Sequence, residues 1–249
     1  MNPHDIKPGE SLYRDEGLKV YEASHYDDGS HVAEMKAILG WLPSRRGWEL
    51  DLGCSGGLHS ADLARRGFEV TGVDREHSAI ALAPRRFGSL RGRSFQVMDL
   101  ETADLSPLAD AGRFTLVMGL GNVLSHLTRA RLPGLFREVW GLLGEGGCFL
   151  FDVLHLQKPF EHRLELCDTR GELRMVWERD LDRATGVIDS VGHFLHEGYR
   201  ARFLVRAYSV EEITGMLRSV GFPRVDCCPT LDFQNPHPNP PTLYYRCLK

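Results

Sequence analysis

The stretch WELDLGCSGGLHSADLA, residues 48–64, constrains the fold more than any other: an apolar strand enters a glycine-rich turn and a helix begins at once. Such a strand–turn–helix unit belongs to parallel sheets, whose crossovers return through helices. Gly53 and Gly57 let the backbone approach a bound group closely, and the helix N-terminus offers unpaired N–H donors. Asp74 closes the next strand 21 residues after Gly53, where an acid accepts hydrogen bonds from ribose hydroxyls. Together these features point to an adenosine-bearing ligand. Three details argue against a dinucleotide or ATP. Asp51 lies two residues before the loop, Ser55 replaces the second loop glycine, and the helix carries no phosphate-binding lysine. An acid beside the loop suits instead a ligand carrying an ammonium or sulfonium, and S-adenosylmethionine carries both.

The alternation of strand and helix continues from about residue 30 to 155. Helical spacing marks 31–42, 57–66, 77–86 (despite Pro84) and 129–143; strands are expected at 48–52, 68–73, 94–98, 114–118 and 148–153. The last is an almost unbroken apolar run, as a strand buried on both faces requires. Residues 156–208 break into strand-like pieces, LRMVWERDL, GVIDSVGHFLHEG and ARFLVRAYS, and read as an antiparallel insert over the substrate site. Ser209 and Glu212 form a capping box before a helix carrying Val210, Ile213, Met216, Leu217 and Val220, which Gly221 ends. Strands near 224–228 and 242–248 complete the chain. The expected fold is α/β: a Rossmann-like, seven-stranded, mostly parallel sheet with helices on both faces. Segment 1–42 forms an N-terminal helical cap, 43–155 with 209–249 the core, and 156–208 the insert after strand 5.

A length of 249 residues fits one core with an insert, because single cores stop growing near ~250–300 residues. Thirty Lys and Arg against thirty-four Asp and Glu leave a net charge of −4, so no nucleic-acid partner is expected. No apolar run approaches the ~20 residues that span a bilayer, and no membrane partner is expected. The N-terminus is polar and lacks a signal core, so a cytoplasmic location is expected. The six cysteines form no CxxC pair and read as reduced thiols.

Several motifs occur in the order found in one family. ELDLGCSGG, GVDREHSAI, VMDLETADL, GRFTLVMGLGNVLSHL and LPGLFREVWGLLGEGGCFLFDV resemble the successive motifs of the class I S-adenosylmethionine-dependent methyltransferases. GGLHSADLARRGFEVTGVD and LGNVLSHL look most like the glycine/sarcosine N-methyltransferases and the small-molecule N-methyltransferases near them. The resemblance covers about 48–155 and 209–249. It implies S-adenosyl-L-methionine as cofactor, with Asp74 on the ribose, Gly53 to Gly57 around the methionine part, and Asp99 and Leu100 at the adenine. It also implies cofactor-binding places for Tyr21, Asp51, Cys54, Ser55, His59, Arg75 and Gly119. The chain departs from the family at Ser55 and at Thr115, where an aspartate is usual. Leu154 occupies the place of the arginine that clamps a substrate carboxylate in glycine methyltransferases, which argues against glycine as the acceptor.

The candidate catalytic residues are His126, Asn122 and Tyr26. Asn122 and His126 follow strand 4 at the carboxyl edge of the sheet, where open α/β folds bind ligands. His126 either accepts a proton from the substrate or packs the turn, and Asn122 either contacts substrate or holds that turn. Tyr21 and Tyr26 precede the first expected helix; an aromatic face near a sulfonium gives a cation–π contact and excludes water. His155 follows strand 5 on the same edge and reads as either a site residue or, ahead of that, a surface loop histidine. Arg200, Arg202, Arg206 and Tyr208 share one strand face, read as either a cavity wall or a solvated stripe. His193 and His196 fall on opposite faces, and no metal site is expected. NPPT at 239–242 resembles the NPPY motif of adenine-N6 methyltransferases but lies in the last hairpin rather than after strand 4. The expected reaction moves a methyl group to a small-molecule substrate, an amine ahead of a hydroxyl. O-methylation of a secondary metabolite and use of the cofactor without methyl transfer are the alternatives, and a homo-oligomer is left open.

Overall fold

The computed structural model describes residues 12–25, 30–42, 46–87, 92–111, 114–156, 162–167, 171–231 and 242–249. Two helices, α1 (Asp15–His25) and α2 (Ser30–Trp41), precede the sheet. The core alternates β1 (Gly47–Leu52), α3 (Leu58–Arg65), β2 (Phe68–Asp74), α4 (His77–Phe87), β3 (Arg93–Val97), β4 (Phe114–Gly119), α5 (Leu132–Leu142) and β5 (Leu143–His155). The insert follows as β6 (Arg163–Cys167), β7 (Leu173–Leu181), β8 (Val187–Phe194) and β9 (Tyr199–Tyr208). The chain then closes with α6 (Val210–Val220), β10 (Arg224–Cys228) and β11 (Thr242–Leu248).

Within the sheet the core strands run β3-β2-β1-β4-β5, and β11 then β10 extend it beyond β5. The pairings β1–β2, β1–β4, β2–β3 and β4–β5 are parallel; β11 runs antiparallel to β5 and to β10. This is the expected seven-stranded, mostly parallel core. The strands alternate their side chains between two apolar layers, the period-2 consequence of the pleat. Val117, Phe149 and Phe151 join α5 and α6, which contribute Phe136, Val139, Ile213 and Leu217. Leu116, Met118 and Leu150 face the other way onto Met35 and Ile38 of α2 and Ala61 and Ala64 of α3. Phe151 stacks on Phe149 at 4.6 Å and on Tyr245 at 5.0 Å, which adds about 0.5–1.5 kcal/mol per pair beyond area burial.

The insert is a four-stranded antiparallel unit joined to the core where β5 and β9 pair in parallel, Leu154 with Ala207 and His155 with Tyr208. Both ends of the insert are thus fixed at one point. Tyr208 is fully buried there and donates its hydroxyl proton to the Leu127 carbonyl at 3.1 Å, which seats the stem against the segment after β4. Leu12 and Val20 pack on Met175, Trp177 and Phe194, so α1 docks on the insert.

Several sequence expectations change. Helix α1 is unforeseen: its polar letters hide Leu18 and Val20, both buried, and Asp15 and Glu16 favour its start electrostatically. Strand β6 is also unforeseen, being short with an alternating RLELC pattern. Helix α5 begins at Leu132 rather than 129, with a proline in its first turn, and ends at Leu142, after which β5 starts five residues earlier than expected. His155 is buried at the end of β5, not in a surface loop. On β9, Arg202 is exposed and paired with Asp189, and Leu204 is exposed, so the solvated alternative applies to the middle of the face, whereas Arg200 and Arg206 are partly buried and Tyr208 is fully buried. The opposite face carries Phe203 toward the sheet's carboxyl edge. Residues 239–241 of the NPPT run lie outside the described residues, as does Tyr26.

Candidate functional site

A cavity of about 300 Å³ opens at the carboxyl ends of β1, β2 and β4. Its floor is the turn after β1. Gly53 adopts φ 71°, where an L side chain is strained, and an added Cβ would stand 2.6 Å from Val123. The Gly53 and Cys54 N–H groups both donate to the Val73 carbonyl, at 2.8 and 3.0 Å, which ties the turn to β2. Ser55 also adopts a positive φ of 50°, and its N–H donates to the Asp74 carboxylate at 2.9 Å. Asp74 accepts a second bond from the Glu76 N–H at 2.8 Å. This carboxylate therefore shapes the loop as well as facing the cavity.

Asp51 lies beneath the turn, where burial pushes its pKa up to about 6 despite His59 and the 2.8 Å hydrogen bond from Ser60. Glu49, two residues back on the same strand face, is fully buried, and burial with the Asp51 charge raises it further. His59 at the start of α3 bonds Glu34 of α2 at 2.7 Å. At the far end, Asp99 accepts the Glu101 N–H, and Arg131 fixes this turn by donating to the carbonyls of Leu100 and Ala103 at 2.7 and 2.9 Å.

The remaining wall is aromatic. Tyr13 stands 3.1 Å from His126 Nε2 through its hydroxyl, and the two rings meet edge to face at 5.3 Å. Tyr21 lies 5.4 Å from Tyr13, and Phe203 of the insert lies 5.5 Å from His126. Cap, core and insert therefore meet around one imidazole. Burial, reinforced by the Arg75 charge, pulls its pKa down to about 4. His126 is neutral at physiological pH.

The cavity brings together Tyr21, Asp51, Gly53, Cys54, Ser55, His59, Asp74, Arg75, Asp99, Leu100 and His126 of the sequence candidates. Three others stand behind it. Gly57 begins α3 at φ 73°, and a Cβ there would meet Ala83, Phe87 and Phe95 at 3.2–3.3 Å, so its glycine serves helix packing. Gly119 ends β4 with Leu124 2.9 Å from a would-be Cβ. Asn122 sits at φ 60° with its N–H on Asp152 at 2.8 Å, which supports its turn-holding alternative. Asp152 is buried, and burial pushes its pKa up to about 7. Sequence reasoning missed Tyr13 and Glu22, which line the cavity from a segment without a motif, and Glu76 and Glu101, which stand two residues after Asp74 and Asp99 inside their motifs. The signal for Tyr13 was its place before an amphipathic α1, a helix itself unrecognised.

Comparison with known proteins agrees with this architecture. Residues 50–147 match the model of a methyltransferase domain. The chain is 26% identical to a putative methyltransferase, YqeM, of Bacillus subtilis (strain 168), over 91% of this chain and 95% of that protein. Among solved structures it resembles an S-adenosylmethionine-dependent methyltransferase from Clostridium acetobutylicum, with TM-score 0.69, 17% identity and coverage of 93% and 96%. It also resembles the sugar N-methyltransferase KedS8 from Streptoalloteichus, with TM-score 0.65, 17% identity and coverage of 98% and 96%. No helix among the described residues is long and apolar enough to cross a membrane.

Proposed function

We propose that this protein, built around a methyltransferase domain, binds S-adenosylmethionine in the cavity and transfers its methyl group to the nitrogen of a small-molecule amine. The observation that carries the reading is the joint between Ser55 and Asp74: one carboxylate both closes the loop and faces the cavity beside the β1–α3 turn. The residues present fit the cofactor. The Ser55 hydroxyl oxygen is buried and has no hydrogen-bond partner among the described residues, a polar group in the cavity wall that a ligand would satisfy. Gly53 leaves room that a Cβ would take. Asp74 would hold the ribose hydroxyls, Asp51 and the turn the amino-acid end, and Asp99 with Leu100 the adenine. Tyr21 would present an aromatic face to the sulfonium. When bound, the cofactor supplies an electrophilic methyl carbon whose sulfur departs with the bonding electron pair.

The chain's own contribution is positioning and dryness. Displacement needs a neutral nucleophile held in line at about 3 Å, and orientation supplies much of the rate. Tyr13 and His126 form the wall at which an acceptor would rest, and Phe203 packs against both rings. A hydroxyl acceptor needs its proton removed as it attacks, and an imidazole with pKa about 4 is a weak base for that task. An amine in its free-base form attacks with its lone pair and loses its proton afterwards. The depressed basicity of His126 thus supports nitrogen over oxygen, and the sugar N-methyltransferase among the similar structures is in line with an amine acceptor.

Parallel assays of amine and alcohol acceptors, following release of S-adenosylhomocysteine and methylated product, test the proposal. Turnover with amines is expected. Turnover with alcohols alone would favour O-methylation, and cofactor binding without any S-adenosylhomocysteine would favour a role without methyl transfer.

A further inference from the structure

Helices α2 and α3 each carry a histidine followed three residues later by a carboxylate: His31 and Glu34 on the first, His59 and Asp62 on the second. Residues three apart share a helix face. The two faces meet: His59 Nε2 stands 2.7 Å from Glu34, His31 Nε2 stands 3.1 Å from Asp62, and the imidazole rings are 5.0 Å apart. One ligand atom from each of His31, Glu34 and His59 lies within 4.8 Å of the other two. We propose that these three residues form a binding site for a divalent first-row transition-metal ion, Zn²⁺ above all, which clamps the cap helix α2 to α3.

The donor set carries the argument. Two imidazoles and one carboxylate are a zinc-binding combination, and metal–ligand bonds of about 2.0–2.2 Å need donor atoms roughly 3.3–3.6 Å apart in a tetrahedral arrangement. The observed spacing closes to that with shifts of about an ångström, within the reach of side chains at a helix–helix contact. Asp62 stands where an outer carboxylate orients a metal-bound imidazole. Its other oxygen pairs with Arg65, which fixes the carboxylate in place. The surroundings favour a cation as well, for the buried Asp51 carboxylate, held by the Ser60 hydroxyl at 2.8 Å, lies near enough to His59 to favour positive charge there.

The position gives the site a consequence. His59 lines the cavity, and α3 grows directly from the turn after β1. A metal held here would fix the cap against the cavity floor whichever ligand the cavity takes, so the inference does not depend on the proposed reaction.

The test uses the full chain without a histidine tag, stripped with a chelator, reloaded with Zn²⁺ or Co²⁺, and freed of excess metal by buffer exchange. One Zn²⁺ per chain by elemental analysis is expected, with Co²⁺ giving the intense visible absorption of a four- or five-coordinate ion. Glu34→Gln and His31→Ala should abolish that stoichiometric binding, and Asp62→Asn should weaken it by roughly 10–100-fold. Circular dichroism of the metal-free proteins establishes that the variants fold. Should a variant fail to fold, the wild-type cobalt spectrum decides. Less than stoichiometric metal, a spectrum like that of hydrated Co²⁺, or equal binding by folded Glu34→Gln would overturn the proposal and leave the cluster as interhelical ion pairs.

Discussion

The environment of His126 makes a quantitative prediction about pH. Enclosure by Tyr13 and Phe203 favours the neutral imidazole, and the pKa falls from 6.5 to about 4. The unfolded chain takes up this proton near pH 6.5 and the folded chain only near 4. Between those values the unfolded state binds more protons, so stability is lost as pH falls through that window and is fully present above it. The separation between 6.5 and about 4 corresponds to roughly 3 kcal/mol in total, of which less than half is lost by pH 5.5 and most by pH 4.5. Other groups titrate in the same range, so the measured quantity is a difference. Urea unfolding of wild type and His126→Gln at pH 7.5, 5.5 and 4.5 isolates it: relative to the variant, wild type should lose those amounts. The His126 ring resonance should titrate near pH 4. A midpoint near 6.5, or a difference independent of pH, would refute the reasoning and restore His126 as a candidate general base.

Three substitutions probe the scaffold. Gly53→Ala forces a side chain into the left-handed region and against Val123, which should cost more than about 2 kcal/mol in denaturant unfolding and weaken ligand binding in the cavity. Asp152→Ala leaves the partly buried N–H of Asn122 without its acceptor and should destabilise the fold by about 1 kcal/mol, read as a lower melting temperature. Ser209→Ala removes the oxygen that accepts the Glu212 N–H at 3.1 Å; about 1 kcal/mol should be lost with an unchanged denaturant slope.

The parts of the structure legible in the sequence are those in which local chemistry and tertiary role coincide. The glycine turn, the acid after β2, the capping box at Ser209 and the apolar run of β5 each carry their structural reason in neighbouring letters. Strands β7, β8 and β9 were readable for the same cause. Helix α1 was not, because its apolar residues acquire meaning only against Trp177 and Phe194, more than 150 positions away. The cavity divides in the same way. Asp51, Asp74 and Asp99 follow from strand ends, whereas Tyr13 and Phe203 reach His126 through the docking of cap on insert. His155 misled because β5 continues past the apolar run, so its last residue is buried by pairing with β9. The cluster of His31, Glu34 and His59 is invisible to spacing, since no single segment holds all three.

The reading rests on an adenosyl group occupying the cavity with its sugar on Asp74. Isothermal titration of the wild-type chain with S-adenosylhomocysteine, beside NADH and ATP, addresses it directly, with Asp74→Ala as the comparison. Saturable one-site binding of S-adenosylhomocysteine is expected, weakened by roughly 1–3 kcal/mol in the variant, with no heat from either nucleotide. No heat with S-adenosylhomocysteine alongside a clear isotherm for NADH or ATP would contradict it, as would an affinity that Asp74→Ala leaves unchanged.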